Sequence, residues 1–261
     1  MSFLEISNLT AGYGGKPVIE EVSFTVESGC VMGILGANGS GKTTLLKSVC
    51  GILPHSGSCS VNGIRLEELA PKKLGRSCSY IPQRSGISID ISAIDVVLMG
   101  FNPKLGLLEH PGESMKNQAR QALAEVGLAG REEDNYLHLS EGQKQLCILA
   151  RTLISDAELL LLDEPESALD FRYRGRMLDI LRNRVRDGAA LVTLHDPNLA
   201  LNRCDRLLLL GGGKILSVLD PANDPTDRME TALSAIYGPV SLCRCRDKQG
   251  REQLVMLRED V

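Results

Sequence analysis

Apolar positions follow two rhythms along this chain. Residues 3–9 and 18–26 are apolar at partly alternating positions, the period of a half-buried strand, and the glycines at 12–15 predict a turn between them. The runs at 30–35, 159–162 and 207–210 are continuously apolar and short, which predicts strands of a parallel sheet covered on both faces. Further strands are expected at 57–62, closed by an Asn62-Gly63 turn, and at 78–81, 190–194, 206–210 and 214–219. Helical spacing takes over from Lys42 to Gly51, at 91–99, at 114–126, and at 171–186 with a stop at Asp187-Gly188. A helix over 140–155 starts on Ser140 as N-cap, with Gln143 at the capping-box position. Asp196-Pro197 opens a short helix in the N-cap and N1 manner. Beyond 221 one helix and two short strands are expected.

Composition narrows the class. With 261 residues and 43% hydrophobic content the chain can bury a full core, as one large domain or one with a subdomain. A net charge of −4 without a basic run gives nucleic-acid binding no electrostatic support. The eight cysteines form no CxxC pair, and most lie in apolar runs, as expected of small buried hydrophobes in a reducing cytoplasm. Cys243 and Cys245 alternate along an expected strand and should face one side. The first six residues lack a charged segment followed by an apolar one, so no secretory signal is expected. No apolar run approaches the ~20 residues that span a bilayer, so a membrane connection would come through a partner.

The chemistry concentrates where an apolar strand meets a helix. Gly36-Ala37-Asn38-Gly39-Ser40-Gly41-Lys42-Thr43 has the spacing of a phosphate-binding loop, and Thr44 continues into the helix. Gly36 and Gly41 let the backbone curl so that its N–H groups face phosphate oxygens. Lys42 can place a point charge on the β- and γ-phosphates, the Thr43 hydroxyl can ligate Mg²⁺, and the helix N-terminus favours the same anion. Far downstream, the 159–162 strand ends in Asp163-Glu164. Carboxylates at the carboxyl edge of a parallel sheet face the ligand crevice. Asp163 suits the Mg²⁺ shell, and Glu164 can orient and deprotonate an attacking water.

With Leu139-Ser140-Glu141-Gly142-Gln143 just upstream of that strand, the chain resembles the nucleotide-binding subunit of an ABC transporter over nearly all of residues 3–219. The segment is similar to the family's LSGGQ signature. The resemblance implies ATP and Mg²⁺ as cofactors and further roles in order along the chain. Tyr13 would stack on adenine, Gln83 would contact Mg²⁺ or water, Asp170 would close the D-loop, and His195 would be the switch histidine. Ser140, Gly142 and Gln143 would form a second anion site at a helix N-terminus. The implied fold is α/β, a P-loop NTPase (RecA-like) core with an N-terminal antiparallel β subdomain and an inserted α-helical subdomain. The core would be split between 1–84 and 156–220, the helical signature subdomain would span 85–155, and 221–261 would extend the same domain.

Because the two anion sites would face different subunits, the resemblance implies a head-to-tail homodimer in which Ser140 of one copy closes over the ATP held by Lys42 of the other. It also implies separate integral-membrane permease subunits and, through them, an extracytoplasmic substrate-binding protein, with this chain peripheral at the cytoplasmic face of the membrane. The stretches at 95–100 and 195–200, and the loop to His110, resemble the iron-siderophore, haem and cobalamin importer ATPases. The helical region would meet the permease, with Gln83 and the loop after it coupling ATP closure to transport. Two departures stand out. Glu141 replaces the middle glycine of the signature, where it is expected to point to solvent or back at the helix dipole. Glu166 stands where Thr is more usual, with no mechanistic reason in the sequence. A soluble ABC ATPase acting on ribosomes or DNA is the alternative, though the paired cassettes, coiled-coil insertions and basic arms of that class are missing. A P-loop binding protein without turnover is disfavoured by Glu164 together with His195.

Overall fold

The computed structural model describes residues 2–106, 108–155 and 157–259. Residue 156, where the second part of the core is expected to resume, lies outside the described residues, as do 260 and 261 of the expected extension. The chain opens with two long antiparallel strands, β1 (Ser2–Tyr13) and β2 (Lys16–Glu27), then β3 (Val31–Leu35) and α1 (Lys42–Val49). β4 (His55–Val61), the two-residue β5 (Ile64–Arg65), α2 (Pro71–Ser77) and β6 (Cys78–Ile81) follow. Three helices come next: α3 (Ala93–Leu98), α4 (Glu113–Glu125) and α5 (Glu141–Leu153). Strands and helices then alternate through β7 (Leu159–Asp163), α6 (Phe171–Arg184), β8 (Ala189–Thr193), α7 (Pro197–Arg203), β9 (Arg206–Gly211) and β10 (Lys214–Leu219). The chain ends in α8 (Thr226–Tyr237), β11 (Val240–Arg246) and β12 (Glu252–Arg258).

Two larger sheets organise these elements. One is antiparallel, in the order β2-β1-β4-β5, and the other has the order β10-β9-β3-β8-β7-β6. In the second, β9, β3, β8, β7 and β6 run parallel and β10 is an antiparallel edge. The continuous apolar runs are explained by what lies on each side. Leu159 and Leu161 join a core shared with the antiparallel sheet and α1, whereas Leu160 and Leu162 join a core shared with the helices. Every residue of β3, β7 and β8 is accordingly buried. Burying an aliphatic side chain contributes ~1.5–3 kcal/mol, so these strands fix the register of the sheet and with it the position of their carboxyl ends.

The helices begin as the sequence predicts. Ser140 Oγ accepts the Gln143 N–H at 3.3 Å and Gln143 Oε1 accepts the Ser140 N–H at 2.9 Å, so the capping box of α5 is complete. Asp196 Oδ1 accepts the N–H groups of Asn198 and Leu199 at the start of α7. Sequence reasoning passed over α2, although Pro71 at its first turn is a helix-start signal. The β11–β12 hairpin is tied to α7 by two asparagines that act as a substitute strand. Asn202 exchanges two hydrogen bonds with the main chain of Leu254, and Asn198 Oδ1 accepts the Met256 N–H. Cys243 and Cys245 both lie exposed on this hairpin, on β11 as expected. Among the described residues no helix is long and apolar enough to cross a membrane.

Candidate active site

β3 delivers the chain into the loop at 36–41, and packing explains its two decisive glycines. A Cβ on Gly36 would lie 2.3 Å from the Leu210 carbonyl oxygen of β9. Gly41, the N-cap of α1, has φ +104°, and a Cβ there would lie 2.5 Å from Ile19 Cγ2 of β2. The loop is thus wedged between the antiparallel sheet and the edge of the parallel one, a conformation that only glycine adopts without strain. Ala37, Asn38 and Gly39 form its exposed crest, while Ser40 is buried with an Oγ that has no hydrogen-bond partner among the described residues. Lys42 is buried, and its ammonium donates to the Gly36 carbonyl at 2.9 Å and the Ala37 carbonyl at 3.3 Å. Burial pulls the Lys42 pKa below the usual lysine range, against the opposing pull of Glu164, Asp163 and Glu166. An unpartnered hydroxyl, a desolvated ammonium and a helix N-terminus make a cradle suited to phosphate.

Asp163 ends β7 directly beside α1. Its Oδ1 accepts the Thr43 hydroxyl at 3.1 Å and the Thr193 hydroxyl at 2.9 Å, and its Oδ2 accepts the Tyr80 hydroxyl at 3.2 Å. Thr43 Oγ1 and Asp163 Oδ1 are hard oxygen donors 3.1 Å apart, the donor type Mg²⁺ takes directly or through its retained waters. These residues fit Mg²⁺. Burial raises the Tyr80 pKa, and the carboxylate it serves raises it further, so the phenol stays a donor.

Glu164 follows with φ +49°, a left-handed conformation that is uncommon for a residue with a side chain. Its N–H donates to Thr193 Oγ1 at 2.7 Å, so one hydroxyl at the end of β8 braces the Asp163 carboxylate and the Glu164 main chain. The turn swings the Glu164 carboxylate away from Asp163. There Oε2 accepts the Gln83 amide at 2.5 Å and meets His195 Nε2 at 2.7 Å. His195 is half exposed, whereas the Glu164 side chain is only 13% exposed. The Gln83 amide nitrogen is therefore engaged by Glu164, and its carbonyl oxygen is the end that could face a metal or water. Below them lies Glu166, 2% exposed, whose Oε1 accepts the His195 N–H at 2.8 Å. Tyr13, at the end of β1, has a half-exposed ring.

Ser140, Gly142, Gln143 and Asp170 do not join this cluster. They line a separate hollow with Ala168 and Tyr173, and no residue of the phosphate loop lines it. The Asp170 carboxylate caps α6 by accepting the Tyr173 N–H at 3.1 Å. Since Ser140 Oγ accepts within its own capping box, its proton remains available to an outside acceptor. Glu141 points to solvent, its side chain 77% exposed and paired with Lys144 at 2.8 Å, as its placement in the first helical turn suggests. Sequence reasoning missed Thr193 and Tyr80 and gave Glu166 no role, because all three act through contacts more than twenty-five positions apart, for which no local pattern exists.

Comparison with known proteins gives a consistent result. A family profile described as ABC transporter matches residues 19–167. A probable iron chelatin transport ATP-binding protein of Helicobacter pylori is 33% identical over 238 residues, covering 90% of this chain and 92% of the relative. The hemin import ATP-binding protein HmuV of Bordetella avium is 36% identical over 271 residues, covering 98% and 99%. A solved structure assigned to the metal-chelate type of ABC transporter, in an inward-facing conformation, superposes with a TM-score of 0.82 at 26% identity, covering 99% of both chains.

Proposed function

We propose, for a chain that belongs to the ABC transporter family, that two copies form the ATP-driven motor of a metal-chelate importer. The chain binds and hydrolyses ATP. In the proposed assignment the loop at 36–44, with Lys42, holds the β- and γ-phosphates, and Tyr13 stacks on the adenine. Glu164 orients a water and takes its proton as the water oxygen attacks the γ-phosphorus. The bond to the bridging oxygen breaks, leaving ADP and inorganic phosphate. His195 donates to the transferring phosphoryl group and Gln83 holds the Glu164 carboxylate. Thr43 and Asp163, with the Gln83 carbonyl, would hold Mg²⁺, which when bound neutralises phosphate charge.

The observation that carries this assignment is the 2.7 Å contact of Glu164 with His195 beside the Thr43–Asp163 pair, at one end of one parallel sheet. The hollow at Ser140, Gly142 and Asp170 supports a two-copy site, because it offers hydroxyl and helix N-terminal donors with no phosphate loop of its own. ATP would then close two chains head to tail, and cleavage would release them. The split core at 1–84 and 156–220 and the helical subdomain at 85–155 belong to this reading. Ile89 and Leu108, large apolar side chains exposed on the stretch after Gln83, support a permease contact there. The chain would sit peripherally at the cytoplasmic face, with a substrate-binding protein on the other side of the membrane.

Among the proposed cargoes of iron siderophore, haem and cobalamin, the first two are supported by the names carried by the relatives, an iron chelatin and a hemin transport ATP-binding protein. The test is uptake of each radiolabelled chelate into vesicles holding this chain and its co-purifying permease. ATP-dependent uptake of one chelate, abolished by Glu164→Gln, is expected. Failure to co-purify with any permease would instead favour a soluble ABC ATPase.

A further inference from the structure

Glu166 is a buried carboxylic side chain that forms no ion pair among the described residues. It is 2% exposed, Oε1 accepts the His195 main-chain N–H at 2.8 Å, and Oε2 is buried with no hydrogen-bond partner among the described residues. The charged and titratable groups facing it are the adjacent Glu164, His195 just past β8, Lys42 on α1 and the thiol of Cys204, the C-terminal cap residue of α7. None of them forms an ion pair with it. An ionised carboxylate enclosed in this way would lack the pairing that buried charge requires, whereas a neutral acid keeps the one acceptor the site uses.

The geometry points to Glu166 as a positioning residue for His195: held as a neutral acid, it anchors the His195 main chain through Oε1 and so sets where the imidazole meets Glu164. Burial pushes its pKa above the usual carboxylate range, against the opposing pull of main-chain hydrogen bonds and the His195 ring, with a smaller push from the Glu164 charge. Ionisation would place a second anion beside Glu164 and under the His195 ring. Turnover is then expected to fall as pH rises through the raised pKa, an alkaline limb that belongs to this side chain. The site thus carries a built-in pH response absent from a chain with Thr at this position.

The inference rests on the assignment of Glu164 and His195 to ATP cleavage, so Glu164→Gln is assayed in parallel. The experiment compares steady-state ATPase activity from acid to alkaline pH for the wild type, Glu166→Ala and Glu166→Gln, with binding of a fluorescent ATP analogue as a control. Glu166→Ala is expected to lower kcat at least about tenfold with KM changed by no more than about twofold, since the lost contact acts on the reacting end of the site. Glu166→Gln keeps the acceptor and cannot ionise, so it is expected to rescue turnover while the alkaline limb disappears. Wild-type kcat in Glu166→Ala, or an unchanged alkaline limb in Glu166→Gln, overturns the proposal. If Glu166→Ala loses nucleotide binding and fails to fold, the pH profile of Glu166→Gln decides alone. Near wild-type turnover in Glu164→Gln would instead overturn the assignment of the site.

Discussion

His195 Nε2 lies 2.7 Å from the Glu164 Oε2 that also accepts the Gln83 amide, so a strand end, a turn and a distant loop converge on one oxygen. Losing the proton acceptor there should reduce hydrolysis by ~10²–10⁴-fold, the range for general acid–base catalysis. Glu164→Gln is therefore expected to bind ATP with wild-type affinity and turn it over slowly. Analytical ultracentrifugation with excess ATP should show a stable dimer. A protein that stays monomeric with nucleotide bound would contradict the two-copy site.

Gln83 holds Glu164 from the loop that leads into the helical region. Gln83→Ala should lower basal ATPase activity, because Glu164 loses the amide that holds it, and should also disconnect the remaining hydrolysis from the permease. In reconstituted vesicles, the number of chelates moved per ATP should drop. Uptake that remains fully coupled would remove Gln83 from the coupling route.

Thr193 is fully buried and its hydroxyl serves two masters, Asp163 Oδ1 and the Glu164 N–H. Thr193→Val keeps the shape and orphans a buried N–H, which costs about 1–3 kcal/mol. Urea denaturation should report that loss. Kinetics should show kcat falling more than KM rises, as the left-handed turn at Glu164 relaxes.

The fold was largely legible because its strongest signals are local. The four leucines at 159–162 announced a strand covered on both faces, and Ser140 with Gln143 announced the start of α5 down to the reciprocal hydrogen bonds. The left-handed turn at Glu164 was not legible, since a residue before proline is biased toward extended backbone and Glu164 goes against that bias. The brace from Thr193 and the phenol of Tyr80 were hidden for another reason. Each is an unremarked residue on its own strand and gains its role only when parallel pairing sets β6 and β8 on either side of β7.

Two changes in the signature segment should separate stability from turnover. Ser140→Ala removes an N-cap and should cost ~1 kcal/mol of stability, with ATP-induced dimerisation weakened as well. Glu141→Gly removes only a solvent-facing pair with Lys144, so ATP turnover is expected to change by less than tenfold. A larger rise would assign the carboxylate an inhibitory role.

Stability should also depend on pH through Glu166. Its folded pKa is raised above the unfolded value of 4.5, so its contribution is full below pH 4.5 and is lost as pH climbs through the folded pKa. Within that window the native state holds one more proton than the unfolded chain. Wild-type stability should fall by up to ~1.4 kcal/mol per pH unit relative to Glu166→Gln. Paired thermal melts of the two proteins across this range measure the difference.

The hairpin of β11 and β12, pinned to α7 by Asn198 and Asn202, carries the two exposed thiols, Cys243 and Cys245. The other cysteines are buried or half-buried, and burial pushes their thiols up, to about 12 for Cys30, Cys59 and Cys147. A maleimide fluorophore should therefore decorate the hairpin alone in the unaltered protein. Because α7 starts two residues after His195, such a dye would serve as a ready-made optical reporter of nucleotide-driven movement, with no engineered cysteine needed.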